Sequence, residues 1–286
     1  MKVELILEGG GMRGAYTSGV LDCFIDNNIK FLDLTAVSAG VACALYYVSN
    51  QPRKALEIFT KYSTDKRYLS VDNLIRNGSA FGLDFIFKTI PGEYVKFDYE
   101  TYNNSEVNLT AVCTNVITGE AHYELIDKLN DKIDYVIASA SLPLVSRSVR
   151  VDGLRLLDGG IVDAIPIKRS KTLFDKQVLV LTRNEGYRKS KHSYRHIAAA
   201  RYIRRRNFMN TLVNRHEVYN QSLDFAEELV AKNEAIIIRP SEPLTLDRFE
   251  KNPEKLKDLY ELGYKDALAK IEEIIELCQD CDNFEY

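Results

Sequence analysis

The stretch VELILEGGGMRGAYTSGVLDCFIDNNIKFLDLTAVSAGVACALYYV, residues 3–48, decides the fold. It opens with a short strand at 3–8, and a glycine cluster at 9–14 leads into apolar residues at helical spacing. A second strand follows at 31–37, and residues 39–48 are apolar on nearly all sides, as in a helix buried in a core. Strand, helix, strand and helix in this order predict the start of a parallel α/β sheet.

The remainder of the chain continues as strands and helices. Helices are predicted at 134–142, at 194–232 and from Asn252 onward, where Gly263 is expected to divide the last helix. Asp152-Gly153 is a strong signal for a two-residue hairpin. Further strands are predicted at 107–113 and 120–126, joined through Thr118-Gly119, and at 149–151, 154–157, 177–182 and 235–239.

These elements predict an α/β fold with three α/β/α layers, a mostly parallel central sheet and a helical C-terminal extension. We place the core at residues 1–183 and a mainly helical region, packed on the core, at 184–286. The less regular segment 50–105 is interpreted as helices and loops over the core, and is a candidate substrate cap. The sequence has no internal repeat and no low-complexity linker, which argues against two mobile domains.

Composition indicates a soluble globular protein, with 45% hydrophobic and 28% charged residues. The longest nearly apolar stretch, 36–48, is too short to span a bilayer, and the N-terminus lacks a signal-peptide pattern. Five scattered cysteines indicate free thiols in a reducing cytoplasm. Cys278 and Cys281 form the one close pair, and we expect solvent-facing thiols rather than a metal site, because zinc needs four ligands.

The first candidate functional motif is the glycine loop Gly9-Gly10-Gly11-Met12-Arg13-Gly14. Glycines permit a sharp turn with outward N–H groups, where a helix N-terminus adds partial positive charge, so the loop suits a phosphate or a developing oxyanion. It also matches the dinucleotide-binding pattern, with Asp33 about 20 residues further on. Asp33 precedes the apolar part of the second strand, whereas ribose recognition needs an acid at the C-terminal end of that strand.

The second motif, Ala36-Val37-Ser38-Ala39-Gly40, stands where a strand meets a buried helix, as a nucleophile elbow does. The turn is sharp, so the positions two before and two after the nucleophile must be small. They are Ala36 and Gly40, where the usual elbow has glycine at both. The alternative is that Ser38 only caps the following helix, since serine is a favoured N-cap residue.

The third motif is Asp158-Gly159-Gly160, which follows a hairpin strand. Asp-Gly pairs are usually turns, and Asp152-Gly153 is interpreted as one. Asp158 differs because a second glycine and an apolar segment follow it.

In this order the three motifs resemble those of the patatin-like phospholipase family, whose pattern is GGGxRG, then G-x-S-x-G, then D-G-G or D-G-A. Residues 9–14 and 158–160 match in full, and residues 36–40 match except for Ala36. Ala138-Ser139-Ala140-Ser141-Leu142-Pro143 is similar to the stretch that precedes the aspartate motif in bacterial members. The resemblance covers most of the chain.

The resemblance implies a patatin-like fold and a lipid acyl hydrolase of the phospholipase A or lysophospholipase type. Ser38 would be the nucleophile and Asp158 its base, in a dyad without histidine. Gly10, Gly11 and Gly14, with Arg13, would hold the oxyanion, and no cofactor or metal is implied. Gly9, Ala36, Ala39, Gly40, Gly159 and Gly160 would support the two catalytic turns.

Three alternatives stay open. A Ser-His-Asp triad would use one of the four histidines, and triads are recognised by geometry rather than sequence position. The chain could instead be a non-catalytic relative that binds lipid, or an oxidoreductase that binds a dinucleotide at the glycine loop. The histidines are His122, His192, His196 and His216.

Charge is distributed unevenly along the chain. Residues 186–216 carry nine Lys/Arg and no Asp/Glu, while the rest of the chain holds 29 basic and 41 acidic residues. This pattern is typical either of a solvated helix face or of a surface that meets an anionic partner. For a lipid hydrolase, Arg204, Arg205 and Arg206 would contact anionic head groups, as a cytoplasmic protein peripheral to the inner membrane face. Nucleic acid is not expected, because the remainder is acidic and shows no aromatic stacking platform.

Overall fold

A computed structural model describes residues 1–191, 197 and 200–286, and its centre is a β-sheet flanked by helices. The strands are β1 (Val3–Leu7), β2 (Lys30–Phe31), β3 (Asp33–Val37), β4 (Asn108–Asn115), β5 (Ala121–Leu125), β6 (Val149–Val151), β7 (Leu154–Asp158), β8 (Lys176–Val180), β9 (Ala235–Ile238) and β10 (Phe284–Glu285). The helices before β8 are α1 (Gly14–Asp26), α2 (Ala39–Val48), α3 (Lys54–Tyr62), α4 (Val71–Asn77), a π-helix (Phe85–Tyr94), α5 (Tyr99–Asn103), α6 (Leu129–Ser139) and α7 (Ile167–Lys171). Later helices span Arg206–Ala231, Pro253–Leu268 and Ile271–Cys278, and short 3₁₀ turns span Gly11–Arg13 and Gly159–Ile161.

The main sheet confirms the predicted α/β fold. In the described part of the chain, hydrogen-bonded neighbours follow the path β6-β7-β4-β3-β1-β8-β9, and β5 also pairs with β4 along the edge opposite to β3 and β7. Five strands run parallel to one another: β4, β3, β1, β8 and β9. At one end of the sheet, β5, β6 and β7 pair antiparallel. Every residue of β1 is buried, as expected for a parallel strand with helices on both faces. The fold is therefore three-layered and mostly parallel, with further helices in the C-terminal part.

The hairpin between β6 and β7 forms at the predicted dipeptide. Asp152 and Gly153 have φ angles of 47° and 76°, as a tight hairpin turn requires. The hairpin directs β7 back along β4, so that it ends at Asp158.

The C-terminal region is continuous with the core. Beyond residue 183 it adds β9 to the edge of the sheet, beside β8. The helix Pro253–Leu268 crosses α1 at very short range: a Cβ at Gly263 would lie 2.2 Å from the Tyr16 carbonyl oxygen, and one at Gly19 would lie 2.0 Å from the Tyr260 carbonyl oxygen. The prediction that Gly263 divides this helix is therefore wrong, because this glycine serves close packing of two helices.

Other boundaries differ from the predictions. Helix α6 begins at Leu129, five residues before the predicted start. The predicted helix at 194–232 is observed from Arg206 to Ala231, and residues 194–196, 198 and 199 lie outside the described residues. Cys278 and Cys281 are buried, not solvent-facing. No helix of the described chain is both long and apolar enough to cross a membrane.

Candidate active site

Ser38 occupies a strained turn between β3 and α2. Its backbone has φ 55° and ψ −121°, a conformation that costs a non-glycine residue about 1–3 kcal/mol. The side chain makes no capping hydrogen bond to α2, which contradicts the alternative that Ser38 is only a helix cap. The neighbouring parts of the chain pack tightly against this turn, so Gly9 and Gly40 have no room for a side chain. A Cβ at Gly9 would lie 2.7 Å from the Ser38 Cβ, and one at Gly40 would lie 2.8 Å from the Leu7 carbonyl oxygen. The Ala36 methyl is fully buried in β3.

Sheet register brings Ser38 and Asp158 together. Val37, at the end of β3, pairs with Val112 of β4, and Asp158, at the end of β7, pairs with the next residue, Cys113. Strand β5 pairs with both of these β4 residues, so it fills the other edge of β4. Strands β3 and β7 must then share one edge and approach each other from opposite directions. Ser38 and Asp158 meet where the two strands end, and both line one cavity, called here the serine cavity.

Asp158 is buried, and its backbone is fixed on both sides. Its N–H donates to the Ser141 carbonyl at 2.8 Å, and its carbonyl accepts from the Thr114 hydroxyl at 2.7 Å. The carboxylate Oδ1 accepts from the Gly160 N–H at 2.7 Å. Oδ2 is buried without a hydrogen bond of regular geometry in the described chain, which leaves it available to the Ser38 hydroxyl.

Burial raises the pKa of Asp158 above its ordinary range, because a buried carboxylate loses its hydration. The Ser38 hydroxyl is the largest of the influences that oppose this rise, followed by the Gly160 N–H and the charges of Arg215 and Arg248. Close contact also explains why a glycine follows Asp158, since a Cβ at Gly159 would lie 2.2 Å from the Val112 carbonyl oxygen.

Ser139 positions the turn and was not singled out from the sequence. Its buried hydroxyl accepts from the Ser38 N–H at 3.0 Å and donates to the Val112 carbonyl at 2.7 Å. It thereby links the turn to β4 at the point where β3 and β7 meet. The sequence signal available was the stretch 138–143, but nothing local distinguishes Ser139 from Ser141.

The glycine loop lies against the serine cavity. Gly9, Gly10 and Gly11 line it, and their N–H groups have no acceptor within the part of the chain described. The following N–H groups are occupied: Met12 donates to Arg248, and Arg13 donates to Gly10.

Gly14 has a different position from the one predicted. Its N–H donates to the Gly11 and Met12 carbonyls, and it does not line the serine cavity. A Cβ at Gly14 would lie 2.8 Å from Phe59 and 3.0 Å from the Cβ of Ala39. Gly14 therefore allows α1 to pack closely, and its N–H is not available to an oxyanion.

The histidines that the structure describes lie outside the serine cavity. His122 contacts Glu124 at 3.0 Å on β5, and His216 contacts the Val213 carbonyl at 3.1 Å. His192 and His196 lie outside the described residues.

Asp33 cannot take the role that a dinucleotide site requires. It is the first residue of β3, at the opposite end of the strand from Ser38, and accepts hydrogen bonds from Asn108 and Asn283. Among residues 1–191 and 200–286, no group of three or more His, Cys, Asp or Glu side chains could hold a metal ion.

The predicted basic surface is partly assembled. Arg204 and Arg205 line an open groove of about 770 Å³, whereas Arg206 begins the long helix and does not line the groove. Ile203 also lines this groove, with 73% of its surface exposed. Four more arginines line the same groove: Arg147, Arg150, Arg155 and Arg201.

The chain is similar in sequence to known proteins. A family model described as patatin-like phospholipase matches residues 5–169, and one described as a domain of unknown function matches residues 205–279. The uncharacterized protein YjjU of Escherichia coli (strain K12) is 28% identical over 183 residues, which is 63% of this chain. The chain spans about half the length of that relative, 51%.

Among solved structures, VipD from Legionella pneumophila superimposes with a TM-score of 0.49 at 15% identity, covering 95% of this chain and 67% of that one. The family match rests on the segment that carries the glycine loop, Ser38 and Asp158, and it includes more than half of the residues. The chain belongs to the patatin-like phospholipase family.

Proposed function

We propose that this protein is a serine hydrolase that cleaves acyl ester bonds of lipids, with Ser38 as nucleophile and Asp158 as base. Family membership supports a lipid acyl hydrolase in general. The observation that carries the proposal is the meeting of a strained Ser38 and a buried Asp158 at the ends of two opposed strands.

In the proposed reaction, the Ser38 Oγ attacks the acyl carbonyl and its proton passes to Asp158. The tetrahedral intermediate then releases the alcohol, which takes the proton from Asp158, and an acyl-serine ester remains. Water next gives a proton to Asp158 and attacks the ester, and the proton returns to Ser38 as the fatty acid leaves. The raised pKa of Asp158 favours this cycle, since a base is most effective when its pKa approaches the working pH.

The oxyanion would be held by the Gly10 and Gly11 N–H groups, with Arg13 contributing its positive charge. These donors lie on the wall of the serine cavity, in a turn held by the hydrogen bonds of Met12 to Arg248 and of Arg13 to Gly10. Preorganised donors of this kind each contribute about 3 kcal/mol to transition-state stabilisation in comparable enzymes.

The acyl chain would bind in an apolar cavity beneath the segment 50–105, which we interpret as a cap. Helix α3, the π-helix and residues 95–99 cover α2 and enclose an apolar cavity lined by side chains such as Phe59, Phe87 and Phe97. Ala42 lines this cavity one helical turn after Ser38, so the cavity lies beside the helix that the nucleophile begins.

A fluorophosphonate probe tests the proposal, because it labels only activated serines. Wild type should be labelled, Ser38→Ala should not, and Ser18→Ala should be labelled normally. Ser18 is a matched control, since it is also buried but its hydroxyl donates to the Ala15 carbonyl within α1. A folded wild type that resists labelling, with and without vesicles, would support the alternative of an inactive lipid-binding relative.

The same assay addresses the triad alternative. His122→Ala and His216→Ala should keep wild-type labelling rates, because neither side chain reaches the serine cavity. Loss of labelling in any of the four histidine variants, to the level of an Asp158 variant, would contradict the dyad.

A further inference from the structure

The serine cavity carries an excess of positive charge. Where the structure describes its lining, the carboxylates are Asp158 and Glu8. Glu8 is already satisfied, because the Tyr219 hydroxyl donates to it at 2.9 Å and Thr182 donates through its N–H at 2.7 Å and its hydroxyl at 3.1 Å. Five cationic side chains of the described residues line the same cavity: Arg13, Arg183, Lys189, Arg215 and Arg248.

Four of these cations lack a carboxylate partner. Within the described ranges, no ion pair within 4.0 Å involves Arg13, Arg183, Lys189 or Arg248. Two contact aromatic rings instead: the Lys189 Nζ lies 4.0 Å from the ring centre of Tyr219, and the Arg183 guanidinium lies 4.6 Å from that of Tyr187.

Arg13 is the most buried of these unpaired groups. Only 5% of its surface is exposed, and its Nε and Nη1 have no hydrogen-bond partner in the described chain. Burial and the neighbouring charges of Arg183 and Arg248 lower the pKa of Arg13 to about 10. Burial, and next the charge of Arg215, lower the pKa of Lys189 as well. Buried cations that lie close together without anionic partners raise the free energy of the folded protein. An anion that binds among them lowers it.

Most of this charge comes from the C-terminal part of the chain. Lys189, Arg215 and Arg248 all follow the patatin-like segment, and two of them lie in the domain of unknown function. Arg248 is joined to the glycine loop, because its carbonyl accepts from the Met12 N–H at 3.2 Å. Arg215 reaches the aspartate motif, where it donates to the Gly160 carbonyl at 3.0 Å.

We propose that the region after residue 183 completes the active site with an anion subsite, and that this subsite holds the phosphate monoester of an acyl ester substrate beside Ser38. The phosphate and the ester that is cleaved would both lie in the serine cavity. Arginine suits this ligand, since its planar guanidinium forms paired hydrogen bonds to phosphate oxygens. The inference rests on the proposed function of Ser38 and extends it to one class of substrate.

The first test compares three esters that share one acyl chain: 1-oleoylglycerol 3-phosphate, 1-oleoylglycerophosphocholine and 1-oleoylglycerol. All are used below their aggregation limits, so that the charge of a lipid surface does not contribute. Wild type should prefer the phosphate monoester, and Arg183→Gln and Arg248→Gln should each lower the ratio of its kcat/KM to that of 1-oleoylglycerol about tenfold. Arg188→Gln is the matched control and should leave the ratio unchanged, because Arg188 pairs with Asp224 and Glu227 outside the cavity. Equal rates on the three esters, or an unchanged ratio in both variants, would overturn the proposal.

A binding measurement separates this proposal from the proposed hydrolase function. Calorimetry with Ser38→Ala should show that 1-O-hexadecylglycerol 3-phosphate binds at least about tenfold more tightly than 1-O-hexadecylglycerol, and that adding Arg248→Gln removes the difference. That result supports the subsite even if Ser38 resists fluorophosphonate. Normal labelling of Ser38 without preferential binding of the phosphate-bearing ether would refute the subsite and leave the hydrolase function intact.

Discussion

Replacing Asp158 with asparagine should abolish turnover while preserving the site. Asparagine has the same shape, and its amide oxygen can still accept from the Gly160 N–H, which Asp158 Oδ1 does at 2.7 Å. It cannot take the proton of Ser38. Loss of a general base costs about 10²–10⁴ in rate, and the dyad has no second base, so we expect kcat to fall about 10³-fold or more. This corresponds to about 4 kcal/mol of transition-state stabilisation.

The assay is hydrolysis of a soluble p-nitrophenyl ester by wild type and Asp158→Asn at pH 8. An intact fold in the variant is checked by circular dichroism. Activity within a factor of ten of wild type would show that Asp158 is not the base, and the histidines would then be examined first.

The same substitution should stabilise the fold at neutral pH. Burial raises the pKa of Asp158 above its ordinary value of 3.8, so the unfolded chain releases this proton at lower pH than the folded protein does. Wild-type stability therefore falls as pH rises from about 3.8 to the higher folded pKa, and the loss persists above it. Asp158→Asn has no such titration, so its advantage in free energy of unfolding should be small at pH 4 and larger at pH 8. Urea unfolding at both pH values measures it, and a smaller advantage at pH 8 would contradict a raised pKa.

Three further changes probe the cap, the helix crossing and the basic surface. Ala42→Phe should shift the preferred acyl chain in a p-nitrophenyl ester series to shorter lengths, because the new ring fills the apolar cavity; an unchanged chain-length profile would place the acyl site elsewhere. Gly19→Ala should cost about 3 kcal/mol of unfolding free energy in urea melts, because its Cβ would lie 2.0 Å from the Tyr260 carbonyl oxygen, while Gly92→Ala, with no atom within 4 Å of its added Cβ, should cost nothing; equal effects would refute the close crossing. Replacing the three arginines at 204–206 with glutamine should weaken sedimentation with phosphatidylglycerol vesicles and spare hydrolysis of a soluble ester, and undiminished sedimentation would exclude a membrane role for this surface.

Local patterns predicted most of the fold. The strand and helix order of residues 3–48 follows from apolar periodicity and glycine placement, which act over a few residues, and α2 begins and ends where its apolar run does. Gly263 shows the limit of such patterns. A glycine within a helical sequence suggests a break, but its contact is with Tyr16, almost 250 positions earlier.

The candidate site could likewise be predicted only in part from the sequence. Ser38 and Asp158 stand in motifs that the sequence displays, and they line one cavity. Lys189, Arg215 and Arg248 carry no motif, and nothing within the stretch 138–143 distinguishes Ser139, because the roles of these residues depend on how distant segments meet. The availability of N–H groups in the glycine loop likewise depends on the hydrogen bonds made in the folded turn, which the motif itself does not specify.

Because β3 and β7 meet along one edge of β4, the proposed dyad of Ser38 and Asp158 depends on correct assembly of the sheet. Ser38 and Asp158 are 120 positions apart, so neither half of the sheet contains both. A slip of β7 by one residue along β4 would displace Asp158 by about 3.3 Å and turn its side chain to the opposite face of the sheet. Under the proposed function, nascent or mispaired chains would therefore carry an inert serine, and the capacity to attack an ester would arise only once β7 pairs with β4 in the observed register.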